Sequence, residues 1–291
     1  MKELRQITVI GMGLLGGSLT LAILRSLPGV KVVGYTHRPS TRWRAKQLAV
    51  ATEIVNDVSR SVLKADLVIV ATPICTFEKI FNTIADALPS GSIVTDIGST
   101  KVLPHRWAAK RLPARVHYVG SHPVAGSEQR GVEFARDDLF SQSTCILTTI
   151  KKTNRQAVQT LKRFWSDIGC SVTLMKPAEH DRVFANISHL PHIVAAALIN
   201  ANNSEELKLA GKGFIDTSRV ASGPANIWAD VLLTNANNTT KGIDKIIAEL
   251  SKLKTAIKNK NKIQIEKLLV AARDKRSALI KYKIKKKELI S

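Results

Sequence analysis

Gly11-Met12-Gly13-Leu14-Leu15-Gly16 stands between residues 6–11, which read as a buried strand, and residues 14–27, which read as a helix. No other feature restricts the fold as much. A GxGxxG spacing between a strand and a helix near the N-terminus is the turn with which a parallel α/β sheet receives a dinucleotide. Glycine permits the tight turn and the close approach of a pyrophosphate, and the first N–H groups of the helix, with its dipole, favour the anion. Gly11, Gly13 and Gly16, with Leu14 and Leu15, are therefore expected around the cofactor, and the Ser18 hydroxyl is expected to donate to phosphate.

The rest of the first half keeps that rhythm. Residues 31–35, 66–71, 92–96 and 116–120 read as strands with helical stretches between them, and 66–71 is an apolar run too short for a core helix, closed by Thr72-Pro73. Residues 145–149 and 171–175 are expected to extend the sheet, with a helix near 154–167. After Pro177 no β-rich run follows and apolar residues recur at helical spacing. Residues 178–203 read as one long helix that Pro191 should kink by removing a backbone donor. Residues 250–280 read as two amphipathic helices broken at Asn259-Lys260-Asn261. The expectation is an α/β chain: a doubly wound parallel sheet of Rossmann type over residues 1–176, then an all-helical domain over residues 177–291.

Charge and cysteine usage narrow the function classes. Residues 241–291 hold 16 Lys and Arg against 5 Asp and Glu, so much of the formal net charge of +21 sits in the tail. Tyr282 is its only aromatic and it carries no nucleic-acid motif, so a solvated helical face is preferred to a nucleic-acid partner. A non-catalytic nucleotide sensor that binds an anionic partner through this tail is the alternative from another class. Cys75, Cys145 and Cys170 lack zinc or disulfide spacing, so no metal is expected and a reducing compartment fits. No apolar run approaches the ~20 residues of a bilayer span and no leader precedes the first strand, so a cytoplasmic protein is expected.

The end of the second strand bears on the cofactor. An NAD enzyme usually places Asp or Glu there for the ribose hydroxyls, whereas Thr36-His37-Arg38 and Ser40-Thr41-Arg42 contain no acid. Arg38 can fork onto a 2′-phosphate with Ser40 or Thr41 beside it, so NADP is favoured over NAD, and Arg42 reads as a surface-turn arginine. Thr72 and Pro73, at the end of the neighbouring strand, complete the expected cofactor set.

A second group of residues carries the chemistry. Asp96-Ile97-Gly98-Ser99-Thr100-Lys101 follows one strand, and Gly120-Ser121-His122-Pro123-Val124-Ala125-Gly126-Ser127-Glu128 follows the next, both at the edge where nicotinamide lies. Taken alone, a His-Pro there fixes a loop; beside a dinucleotide site, an imidazole titrating near neutrality suits a hydroxyl that loses its proton as hydride leaves. The helical half adds Ser188-His189-Leu190-Pro191-His192 and Gly213-Phe214-Ile215-Asp216-Thr217-Ser218-Arg219.

Together these segments resemble the prephenate and arogenate dehydrogenase family over nearly the whole chain to about residue 235. The resemblance implies oxidative decarboxylation of prephenate, or of arogenate, with hydride transfer to the nicotinamide, in a homodimer paired through the helical half. It implies that His122 accepts the ring hydroxyl's proton and that Ser99 holds the same hydroxyl. A helix cap before Lys101 is the structural alternative for Ser99. It implies that Arg219 clamps a substrate carboxylate, against an ion pair with Asp216 as the alternative. His189 and His192 stand between substrate contact and core hydrogen bonding, and Trp228 between pocket and core. Ser127 and Glu128 resemble the pair that gates the substrate, Glu128 either meeting the amine of arogenate or closing the pocket. Arg130 would suit prephenate. A hydroxyacid dehydrogenase would need a lysine on the interdomain helix, and residues 178–203 hold none. No regulatory or chorismate mutase region is expected.

Overall fold

A computed structural model of the chain describes residues 4–126 and 129–285. Its contacts divide it into two compact units, Met1–Ala236 and Asn237–Ser291. The first unit is built on β1 (Gln6–Ile10), β2 (Lys31–Tyr35), β3 (Glu53–Val55), β4 (Leu67–Val70), β5 (Ile93–Asp96) and β6 (His117–Tyr118), joined in the order β3-β2-β1-β4-β5-β6. Every pairing in this sheet is parallel. Ile7, Val9 and Ile10 of β1 and all of Leu67 to Val70 are buried, because helices cover both faces and leave no side for polar alternation. Those helices are α1 (Leu14–Ser26), α2 (Pro39–Gln47), α3 (Val58–Val62), α4 (Phe77–Ile84) and α5 (Val102–Arg111). The strand order reverses between β1 and β4, and ligands of such sheets bind in the crevice that opens there.

Two expectations need correction. Residues 145–149 and 171–175 do not extend this sheet. They form β8 (Thr144–Thr148) and β9 (Ser171–Met175) of a separate three-stranded sheet whose first strand is β7 (Gly120–Pro123). β7 runs antiparallel to β8, and β8 parallel to β9 across the crossover helix α6 (Arg155–Asp167). His122 thus lies within a strand, opposite Ile146, rather than on a loop behind one. The physical reason is a break at Val119: the chain leaves β6 after two residues and turns into a second sheet. Trp165 of α6, wholly buried, fixes the new strand by donating its Nε1–H to Ser121 Oγ at 3.1 Å.

The remaining elements are helical, as expected. α7 (Pro177–Phe184), a π-helical stretch (Ala185–His189) and α8 (Leu190–Asn200) form one continuous helix. Pro191 lacks the N–H an α-helix would use, and the wide π turn just before it absorbs that loss. The sequence reading of no bilayer-length run is also corrected: this helix has 24 residues and a mean hydropathy of 1.3 in its apolar window, which meets the length and composition of a span. It nevertheless buries His180, Asp181, His189 and His192. α9 (Ser204–Lys208), α10 (Lys212–Ser218), a 3-10 turn (Arg219–Ser222) and α11 (Ala225–Thr234) follow, with α10 and the turn packed on α8. α11 packs on the 3-10 turn Ile74–Thr76 that follows β4.

The second unit consists of α12 (Ala236–Lys258), which begins at its boundary, and α13 (Lys262–Lys285). Lys260 takes φ 49° at the break, and the Asn261 side chain accepts the Gln264 N–H at 3.0 Å to start α13. Ile263, Leu269, Leu279 and Tyr282 are exposed along α13.

Candidate active site

The glycine loop sits at the strand-order reversal. Gly11 takes φ +108°, and a Cβ there would lie 2.6 Å from the Ala71 carbonyl oxygen at the end of β4. At Gly16 a Cβ would lie 1.8 Å from the Gly11 carbonyl oxygen, whereas at Gly13 it would meet nothing. The turn is therefore closed on its inner side and open at Gly13, the shape that lets a pyrophosphate reach the N–H groups opening α1. No acidic residue stands in the first turn of α1 to repel it. The residues present fit a dinucleotide.

Around that loop the expected cofactor residues divide. Leu14 is buried and Leu15 half-buried beside the turn, while Thr72 places Cγ2 2.9 Å from the position a Gly11 Cβ would take. Thr72 Oγ1 and Thr76 Oγ1 share a hydrogen bond of 2.7 Å, and the Thr76 hydroxyl also bonds the Pro73 carbonyl. Ser18 is not on the open side: its hydroxyl is wholly buried and accepts the Arg136 N–H at 3.0 Å, so it locks α1 to the chain leading into β8. Beyond β2, Thr36 is buried, His37, Arg38 and Ser40 are exposed, and Thr41 is half-buried. Arg42, half-buried in α2, donates to the Thr36 carbonyl at 2.9 Å.

The chemical residues gather at the carboxyl ends of β5 and β7. Asp96 and Lys101, both fully buried, form an ion pair, and the Lys101 ammonium also donates to the Ser121 carbonyl. Asp96 further accepts the Tyr118 hydroxyl at 2.6 Å and the Gly98 N–H at 2.8 Å. A buried ion pair needs such additional bonds to offset the loss of water. Its effect is to hold the segment carrying Ser99 against the strand carrying His122. Ser99 is half-buried and does not cap α5 with its side chain. The cap comes from far along the chain: Asp181 Oδ1 accepts the Lys101 N–H at 2.7 Å and Oδ2 the Val102 N–H at 2.9 Å.

His122 Nδ1 lies 2.8 Å from His180 Nε2, and His180 Nδ1 lies 2.8 Å from Asp181 Oδ1. The Phe184 ring packs on both imidazoles, at 4.6 Å from His122 and 4.4 Å from His180. Burial holds the His122 ring well below the usual imidazole range, and the neighbouring His180, Lys101 and His189 act in the same direction. His122 is therefore neutral at neutral pH, the form that accepts a proton. Among the described residues no hydrogen bond reaches its Nε2, and the residue as a whole is 8% exposed.

From the helical half, His189 is fully buried beside Ser99, and burial pushes its ring down to about 4. Asn235 Nδ2 donates to its Nδ1 at 3.3 Å, and its Nε2 is buried without a hydrogen-bond partner among the described residues. His192 stacks on Trp228 with centroids 3.7 Å apart, and its Nδ1 is buried with no hydrogen bond among the described residues. Gly223 is required there, since a Cβ would come within 2.4 Å of Trp228 Nε1. Trp228 also meets the edge of His189 at 6.3 Å, so the two histidines and the indole form one wall. Arg219 is exposed at the start of the 3-10 turn packed on α8. Ser127 and Glu128 lie outside the described residues, and Arg130 is exposed just beyond them. Among the described residues no cluster of His, Cys, Asp or Glu is placed to hold a metal ion.

Sequence reasoning missed His180, Asp181, Asp96 and Lys101 as members of the site. The available signal was the adjacent His180-Asp181 pair on a helix that runs on into the apolar stretch Ile193 to Ile199. A carboxylate and an imidazole do not enter such a helix without partners.

Known proteins share the sequence and the fold of this chain. The family model described as the prephenate dehydrogenase nucleotide-binding domain matches residues 19–174, and that of the dimerization domain matches 176–271. The chain is 35% identical to the prephenate dehydrogenase of Bacillus subtilis over 94% of its own length and 76% of the relative's. It superposes with a TM-score of 0.89 and 31% identity on a crystal structure of prephenate dehydrogenase from Aquifex aeolicus in complex with hydroxyphenyl propionate and NAD+, covering 96% of this chain and 99% of that one. With the structure of Synechocystis arogenate dehydrogenase the TM-score is 0.80 and the identity 29%, over 94% of this chain and 99% of the other.

Proposed function

The chain belongs to the prephenate dehydrogenase family, and on that premise we propose that it converts prephenate to 4-hydroxyphenylpyruvate by oxidative decarboxylation. The nicotinamide nucleotide, held at the Gly11 to Gly16 turn, supplies the hydride acceptor. His122 Nε2 takes the proton of the ring hydroxyl as the C–H electron pair of the same carbon departs. The bond to the ring carboxylate then breaks, carbon dioxide leaves, and its electron pair completes the aromatic ring. The resulting phenolate recovers the proton from His122, so the imidazole ends as it began. Ser99 orients the hydroxyl toward His122, and Arg219 clamps a substrate carboxylate through its guanidinium fork. His189, His192 and Trp228 wall the ring.

The observation that carries this reading is the neutral, buried His122 with Nδ1 engaged by His180 and no hydrogen bond on Nε2 among the described residues, on a strand packed against β5, which leads into Ser99. Arogenate, the substrate named for the Synechocystis neighbour, is the second reading. For the cofactor, exposed Arg38 and Ser40 and the lack of an acid after β2 support NADP over NAD. The description of the second family model and the exposed apolar side chains of α13 support a homodimer. Buried polar groups along the apolar helix Pro177–Asn200 support a soluble, cytoplasmic enzyme.

One assay tests substrate and cofactor together. Purified enzyme is incubated with prephenate or arogenate and with NAD or NADP, and reduced nicotinamide is followed by absorbance. Reduction is expected with prephenate, fastest with NADP; no reduction with either substrate overturns the assignment. In sedimentation the protein should run at twice the 31.8 kDa chain mass.

A further inference from the structure

With His180 neutral, the hydrogen bonds behind His122 have one consistent assignment of protons. Asp181 accepts two backbone N–H groups at the start of α5, one on each oxygen, and hydrogen bonds of this kind favour the carboxylate over the acid. A carboxylate can only accept, so His180 Nδ1, 2.8 Å from Oδ1, carries a proton. Burial keeps His180 neutral, so its Nε2 is then a bare acceptor. His122 Nδ1, 2.8 Å from that nitrogen, must therefore donate. A neutral imidazole with a proton on Nδ1 has none on Nε2. The nitrogen left for the substrate is a lone pair.

We propose that His180 and Asp181 are positioning residues that hold His122 in the tautomer with Nδ1 protonated and Nε2 bare, the one able to take a proton from a substrate hydroxyl. The proposal rests on His122 being the proton acceptor of the preceding section. Each link is anchored: Asp181 by the amides of Lys101 and Val102, the His180 ring by stacking on Phe184 at an interplanar angle of 17°, and His122 by its place in β7. When Nε2 takes the hydroxyl proton, the imidazolium keeps its Nδ1–H on His180, and the Asp181 carboxylate behind it stays ionised and stabilises the charge. No proton leaves the relay, so return of the Nε2 proton to the phenolate restores the starting state. A carboxylate that fixes an imidazole tautomer without itself being protonated is an established device in hydrolases; here a second histidine lies between the two.

The test has two independent readouts. The first is the ring 15N spectrum of histidine-labelled protein without substrate at pH 7.5, with His122 assigned by its loss in His122→Asn. His122 is expected with a protonated Nδ1 and a bare Nε2, and the reverse overturns the proposal whatever the enzyme turns over. The second is kinetic. His180→Phe keeps the stack on Phe184 but offers His122 no acceptor, and kcat is expected to fall by about 10- to 100-fold with both KM values within about threefold. His180→Gln can accept from His122 and donate to Asp181, and should recover kcat to within about tenfold of wild type. Wild-type kcat in His180→Phe, or a His180→Gln enzyme as slow as His180→Phe, overturns the proposal. If His180→Phe does not fold, the wild-type 15N spectrum decides alone. If wild-type enzyme reduces no cofactor, the functional reading fails while the tautomer is still read.

Discussion

His122→Asn should lower turnover by about 10² or more while leaving cofactor affinity within about twofold, because in the proposed reaction the side chain meets the reacting hydroxyl and not the dinucleotide. Stopped-flow turnover and a fluorescence titration with reduced nicotinamide check the two halves; wild-type turnover would make His122 structural. At this scale the sequence pointed to candidate residues and was blind to how they are held. Ser99 and His122 could be picked out because each follows a strand that ends at the cofactor edge. The cap on α5 could not, since a serine before a helix is an ordinary cap and nothing local announces that Asp181, 80 positions on, supplies it instead. Ser18 misled for a related reason. Its place one turn into α1 suits a phosphate, but the Arg136 N–H that claims its oxygen comes from 118 positions away.

The dinucleotide turn makes a sharper test at the scale of an element. Gly16→Ala must displace the Gly11 carbonyl and should destabilise the fold, seen as a lower midpoint in urea. Gly13→Ala meets no protein atom, so its midpoint should stay near wild type while cofactor Kd rises by about tenfold or more. Equal losses of stability in the two variants would show that the open side of the turn is not where the cofactor lies. The strands that carry this turn were legible because burial on both faces writes continuous apolar runs. The second sheet was not. A strand's residues do not record which neighbour it pairs with, and the two-residue β6 followed at once by β7 reads as one strand with a loop. The long helix was legible from its period, and Pro191 announced a distortion, but whether it would be a kink or a π turn depends on the packing around it.

For the whole molecule, buried neutral histidines couple folding to pH. Burial pushes His105 and His189 down to about 4 and lowers His122 and His180 as well. In the unfolded chain each takes a proton near pH 6.5, so below that value the unfolded state binds more protons than the folded one. Their contribution is intact above about 6.5 and is lost as pH falls toward 4, by up to about 1.4 kcal/mol per pH unit for each ring. The melting temperature should therefore drop steadily between pH 7 and pH 5; a flat profile would mean that these rings are charged in the fold. The cap on α5 has a different consequence for the chain as a whole. The amide protons of Lys101 and Val102 are sealed by a side chain that arrives on a different helix, α7. In deuterium oxide they should be among the slowest to exchange, and a truncated chain ending at residue 176 should lose that protection at both positions while β1 and β4 keep theirs. Exchange at two amides would thus report, without any substrate, whether the helical segment has docked on the nucleotide-binding sheet.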